Sequence, residues 1–321
     1  MRFTFLGTSA GTPTTSRNVT ALALAIDEHR EWYLFDCGEG TQHRLLKSRY
    51  SSAKLKTIFI THVHGDHCYG LPGLIASANM SGRKAPLTVC APDGIEQYVR
   101  STFALTDVHN LRFPLNFVRS DHDNFRYNDG HISVSAVAMS HRVPCYAYHV
   151  SEIPPFHLNE EILDSLKVPR GPLWHQLQQG ENITLEDGRI ISADQVRSPA
   201  WTPRRAVIGG DNDKPDLLSK ALENSDLLIH ESTFTEDVLA RVGPQYMHST
   251  AEMVAKTAAN AKLKNLILTH FSQRYRTDIG AKEHTVNDLY KEARNYYQGN
   301  LQLAEDLQSF QLEKDKTLTK L

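Results

Sequence analysis

Thr57-Ile58-Phe59-Ile60-Thr61-His62-Val63-His64-Gly65-Asp66-His67 is a hydrophobic β-strand that runs directly into four potential metal ligands. Side chains alternate in extended backbone, so His62 and His64 fall on one side and can bind one ion. Gly65 then lets the chain turn, carrying Asp66 and His67 toward a second position. Imidazole and carboxylate donors packed this densely suit zinc better than calcium or magnesium.

One short segment cannot close two coordination shells, so other strand ends must contribute. His141 follows the strand predicted at 132–138, Asp211 follows Val207-Ile208-Gly209-Gly210, and His270 follows Leu266-Ile267-Leu268-Thr269. Each is a ligand-type side chain at the carboxyl end of an apolar run. Around them, β-rich runs at 2–6, 20–26, 32–35, 57–60 and 87–90, and later at 206–209 and 227–229, are interspersed with helical periodicity at 41–48, 70–80, 94–102, 214–224, 250–261 and 286–297. Strands and helices in both halves predict a layered α/β sandwich rather than a bundle or barrel. The segment 151–195 breaks the rhythm with Pro154-Pro155, Pro169-Arg170-Gly171-Pro172 and Glu186-Asp187-Gly188. It reads as an inserted, flexible arm within a single domain spanning 1–321. The tail 313–321 reads as a frayed end.

The bulk composition narrows the function classes. The chain has 321 residues, 40% hydrophobic and 22% charged, with a formal net charge of −2. That is globular composition without the strongly basic balance common in nucleic-acid binders. No apolar run approaches the roughly 18 residues that cross a bilayer, so no membrane partner is expected. The start, Met1-Arg2-Phe3-Thr4-Phe5-Leu6-Gly7, has no secretory pattern and fits a cytoplasmic protein. Cys37, Cys68, Cys90 and Cys145 form no CxxC pair, so neither a disulfide framework nor a thiolate zinc knuckle is indicated. The 16 histidines matter by placement.

With the ligand motifs in view, the chain resembles the metallo-β-lactamase superfamily and, within it, the short-form ribonuclease Z family of tRNA 3′-processing endonucleases. The resemblance rests on Phe5-Leu6-Gly7-Thr8-Ser9, Phe35-Asp36-Cys37-Gly38-Glu39-Gly40, the histidine cluster with Tyr69-Gly70-Leu71-Pro72-Gly73, Ser140-His141, Gly210-Asp211, His230-Glu231-Ser232-Thr233-Phe234, His248-Ser249-Thr250 and His270-Phe271-Ser272-Gln273-Arg274. It implies an αβ/βα sandwich and two zinc ions per subunit, with manganese as a substitute. It further implies that His62, His64 and His141 hold one ion, that Asp66, His67 and His270 hold the other, and that Asp211 bridges both. In such a site a two-metal activated water hydrolyses a phosphodiester. Asp66 would also accept the water's proton and His248 would protonate the departing 3′-oxygen. Glu231 would orient His248 or a ligating imidazole.

The implied substrate is precursor tRNA, cut after the discriminator nucleotide to leave a 3′-hydroxyl and a 5′-phosphate on the trailer, and the implied assembly is a homodimer. The arm matches the family's tRNA-gripping exosite through Gly171-Pro172-Leu173, with Lys167 and Arg170 as its cations. Family arms carry more Lys and Arg, so a shallower salt dependence is expected here. Asn212 stands where a Thr is common. Outside the arm, Arg274, four residues past a ligand, and Ser272 are candidate phosphate contacts, and Arg44, Lys47, Arg49, Lys54, Lys56 and Arg276 are further cations. The alternative is a small-substrate phosphodiesterase or another metallo-hydrolase of the superfamily, against which a long clamp argues; a non-catalytic, metal-stabilised RNA binder is a third reading.

Overall fold

The structure is a computed structural model that describes residues 1–276 and 284–321. Two sheets form the larger of two compact units, Met1–Ser151 with Arg204–Leu321. The eight-stranded sheet runs, edge to edge, Leu318–Lys320, Ser309–Leu312, Arg2–Gly7, Ala21–Ala25, Trp32–Phe35, Leu55–Phe59, Leu87–Ala91 and Leu115–Arg119. The seven-stranded sheet runs Asn300–Leu303, Asn265–Thr269, Leu227–Glu231, Arg205–Ile208, Cys145–Glu152, Ile132–Met139 and Arg126–Asn128.

Period-two alternation divides the side chains among layers. Tyr33, Phe35 and Phe59 point into a core shared with Val134, Tyr148, Val150, Ile208 and Ile229 of the other sheet. Their neighbours Leu34 and Ile58 face outward, onto Leu71, Leu74 and Ile75 of helix Leu71–Met80. On the far side, Val207, Leu228 and Leu266 pack against Val254, Ala255 and Leu289 from helices Ala251–Asn260 and Val286–Arg294. Both sheets are thus covered on two faces, which is why their central strands read as near-continuous apolar runs. The expected αβ/βα sandwich is the fold.

One buried polar contact ties the sheets together beside the ligand loop. Tyr148, fully buried, donates its hydroxyl to the carbonyl of Ile60 at 2.7 Å. Tyr148→Phe removes that donor, with an expected cost of about 1–3 kcal/mol in urea-unfolding free energy. No change in that free energy would mean the contact contributes nothing.

One expectation requires correction. The tail is not frayed: Leu318–Lys320 pairs antiparallel with Ser309–Leu312 as the edge strand, its register anchored by buried Leu318. The chain divides into two compact units, and the second, Glu152–Pro203, takes in the inserted segment and extends it to residue 203. The reason is pairing: Phe156–Leu158 takes Arg197–Pro199 as its antiparallel partner. This unit has a core of its own, formed by Leu163, Val168, Leu177, Ile183, Ile191 and Val196. Helix Pro172–Gln179 begins at the end of the Pro169-Arg170-Gly171-Pro172 run, because Pro is tolerated in the first helical turn.

Candidate metal centre

The ligand loops leave the carboxyl ends of several strands. Leu55–Phe59 delivers His62, His64, Asp66 and His67; Ile132–Met139 delivers His141; Arg205–Ile208 delivers Asp211; Asn265–Thr269 delivers His270. His64 caps the one-turn helix Gly65–Cys68, which turns Asp66 and His67 away from the strand direction. Two glycines allow this turn to lie against the neighbouring loop. A Cβ on Gly38 would fall 2.3 Å from the Asp66 carbonyl oxygen, and one on Gly70 would fall 2.2 Å from that of Gly38. Backbone bonds fill the gap: Cys37 donates to the His67 carbonyl at 2.8 Å and Gly70 to that of Cys37 at 2.9 Å.

All seven predicted ligands converge in two clusters that share Asp211. In the first, His62 Nε2 lies 3.0 Å from His64 Nδ1, His141 Nε2 lies 3.2 Å from His64 Nδ1, and Asp211 Oδ2 stands 3.6 Å from His62 Nε2. In the second, His67 Nε2 and His270 Nε2 are 3.2 Å apart, Asp66 Oδ2 is 3.3 Å from His270 Nε2, and Asp211 Oδ1 is 3.4 Å from both imidazoles. One carboxylate therefore addresses each cluster with a different oxygen. Tetrahedral zinc, with bonds of about 2.0–2.2 Å, separates its donors by about 3.4 Å. The donor set fits a divalent ion at each cluster.

The hydrogen bonds around these side chains occupy their outward ring nitrogens. His67 Nδ1 donates to Asp36 Oδ2 at 2.7 Å, His62 Nδ1 is bonded to Thr61 Oγ1 at 2.9 Å, His141 Nδ1 donates to the Met247 carbonyl at 3.0 Å, and His270 Nδ1 is bonded to Thr233 Oγ1 at 3.0 Å. With one nitrogen committed outward, the other is left facing the cluster, the atom that would bind an ion. Burial holds His62, His64 and His141 below their ordinary pKa, and so neutral as ligands must be. His67 moves the other way despite burial, because Asp211, Asp66 and Asp36 converge on it.

Asp36, Thr61 and Thr233 escaped the sequence reading as functional residues. Asp36 carries the same signal that singled out Asp211, a polar residue ending an apolar strand, and it takes a left-handed backbone with φ 57°. It also accepts from the Thr61 N–H at 2.8 Å and the Thr61 hydroxyl, clamping the segment before His62. Asp36→Asn is expected to weaken metal retention about 10–100-fold, measured by competition with a chromogenic chelator.

His248 stands between the clusters, its Nδ1 3.2 Å from Glu231 Oε1 and 3.8 Å from Asp211 Oδ2. Against burial, those two carboxylates push its pKa up to about 9. Glu231 touches both groups considered for it. It pairs with His248, and its other oxygen accepts from the Thr233 hydroxyl at 2.7 Å, the hydroxyl that meets His270. Asn212 is a buried organiser, accepting from the Ser140 and Lys214 N–H groups and donating to His230.

A cavity of about 280 Å³ adjoins His248, lined by Gly11, Phe234, Tyr246, Gln273, Ser272 and Arg274. Ser272 and Arg274 are thus brought to the site, with Arg274 Nη1 3.3 Å from Ser272 Oγ. Arg44 and Lys56 are instead engaged elsewhere, in ion pairs with Asp306 and Asp129. Lys167, Arg170, Gly171 and Pro172 belong to the second unit. There Arg170 is exposed, pairs with Glu160 at 2.9 Å and lies over the Trp174 ring.

Comparison with known proteins agrees with this geometry. A family model described as a beta-lactamase superfamily domain matches residues 31–152. Ribonuclease Z of Marinobacter nauticus is 47% identical over 322 residues, covering 100% of this chain and 99% of the relative. Ribonuclease Z of Bacillus subtilis is 40% identical over 91% of this chain and 93% of its own length. Among solved structures, human tRNase Z, short form, superposes with a TM-score of 0.66 at 26% identity, over 98% of this chain and 100% of that one. Full-length identity at this level, on a metallo-β-lactamase fold, establishes that the chain belongs to the ribonuclease Z family.

Proposed function

We propose that this chain, a tRNA 3′-processing endoribonuclease, uses two zinc ions per subunit, replaceable by manganese. It cuts precursor tRNA after the discriminator nucleotide, leaving a 3′-hydroxyl on the tRNA and a 5′-phosphate on the trailer. The observation that carries this reading is the single carboxylate of Asp211 addressing two three-ligand clusters beside the His248 imidazole paired with Glu231. His62, His64 and His141 would hold one ion and Asp66, His67 and His270 the other. When bound, such ions supply Lewis acidity toward a phosphoryl oxygen and acidify water.

The remaining steps fall to the protein. Asp66, whose Oδ2 accepts the Gly11 N–H at 2.7 Å, is held to receive the proton of the attacking water. His248, kept protonated by Glu231, donates to the 3′-oxygen as the P–O bond breaks. Arg274, braced by Ser272, offers a guanidinium to an adjacent phosphate. Lys167, Arg170, Gly171 and Pro172 contact the tRNA body, and the enzyme works as a cytoplasmic homodimer.

The test is one end-labelled precursor tRNA incubated with and without a chelator, with the product end mapped. A chelator-sensitive cut at the discriminator is expected; its absence would sink the assignment. A second arm tests substrate class. Ser151 and Arg205 are cross-strand partners, so residues 152–203 can be replaced by a short turn. That deletion is expected to lower precursor cleavage at least 10-fold while sparing a chromogenic phosphodiester. Equal loss on both substrates would count against a tRNA-binding role for the second unit.

A further inference from the structure

Away from the catalytic ligands, a second group of ligand-type side chains lies at the opposite ends of the same strands. His29 and Glu31 lie in the turn that leads into Trp32–Phe35, the strand that ends beside Asp36. His131 lies in the turn that leads into Ile132–Met139, the strand that ends before His141. We propose that His29, Glu31 and His131 form a third divalent-metal site, of the zinc class, which joins the two sheets through their hairpin turns. One ligand atom from each of the three lies within 4.8 Å of the others. The two imidazole rings are 3.9 Å apart between centroids.

The turns are held in place by contacts that leave these three side chains at the surface. Tyr33, from the eight-stranded sheet, donates its hydroxyl to Asp129 at 2.7 Å, and Tyr127 donates to the same oxygen at 3.0 Å. Asp129 also accepts from the backbone N–H of His131 at 3.0 Å, fixing the turn that carries that ligand. Lys56, a cation of the first sheet, is paired with Asp129 at 3.0 Å, which offsets its repulsion toward an incoming ion. The hairpins are therefore brought together before any ion binds, with His29 exposed on its turn. Two imidazoles and one carboxylate are donors that favour zinc-class ions over calcium or magnesium. With three protein ligands the remaining position goes to water.

The test reads a difference, so it does not depend on how many ions the catalytic centre holds. Zinc-loaded full-length protein is dialysed to equilibrium against buffered micromolar Zn²⁺, alongside His29→Ala and His131→Ala. Wild type is expected to hold one equivalent more than either variant. Zinc addition is expected to raise its unfolding temperature by a few degrees more than theirs. Precursor cleavage and the unfolding temperature before zinc addition should match among all three, which separates ligand loss from misfolding. The same number of equivalents in wild type and both variants would overturn the site.

Discussion

Asp211→Ala is expected to strip the protein of bound metal and to lower precursor cleavage at least 10³-fold. The reason is its placement: Oδ1 faces His67 and His270 while Oδ2 faces His62, so one substitution removes a donor from both clusters. The loss should exceed the 10–100-fold in metal affinity that a supporting residue such as Asp36 controls. The comparison with Asp211→Asn is informative, since it keeps the shape but removes the charge that offsets two cations, and some metal should be retained. Elemental analysis of the dialysed proteins and single-turnover cleavage check both. A variant with a full metal complement and wild-type rate would show that the carboxylate bridges nothing.

His248→Ala should separate chemistry from metal binding. The side chain contacts Glu231 and Asp211 but completes neither cluster that shares Asp211. Metal content should therefore stay at the wild-type level while kcat falls about 10²- to 10⁴-fold, the range for a lost general acid. The pH dependence has a defined sign. An acid works while protonated, and a raised pKa keeps it so through neutrality, with activity lost as pH rises through its value. Glu231 and Asp211 together push His248 up to about 9. With the Asp211 charge engaged by cations, Glu231 is the group that retains the proton. The alkaline limb of kcat is then expected at or below pH 9, and Glu231→Gln should move it to lower pH. An unmoved limb would assign the acid to another group.

How much of this was legible beforehand varies by residue, and the differences have causes. The run 62–67 could be read because its ligands are contiguous, and strand alternation alone pairs His62 with His64. His141, Asp211 and His270 were legible as ligand types at apolar strand ends, but only resemblance assigned them to ions. Asp36 was missed because its role is a contact across 31 residues to His67, and an Asp at a strand end looks the same whether it caps, ligates or clamps. The cations were the weakest reading. Arg44 and Lys56 look like surface charge in sequence, yet each has a carboxylate partner far along the chain. The tail was misread for the same reason, since Leu318–Lys320 is stabilised by an edge it meets only in the folded sheet.

The near-neutral chain rich in histidine determined by itself that there would be a layered α/β protein with an imidazole-carboxylate metal site at a strand end. Both are local facts: period-two apolar runs are half of a buried sheet wherever they dock, and adjacent ligands stay adjacent. Only tertiary structure decided which oxygen of Asp211 serves which cluster, that Glu231 holds His248 and supports His270 at once, and that His29, Glu31 and His131 meet. Those depend on strand order and on the register between sheets. The energy that sets register is spread over the whole core, so no short stretch of sequence carries it.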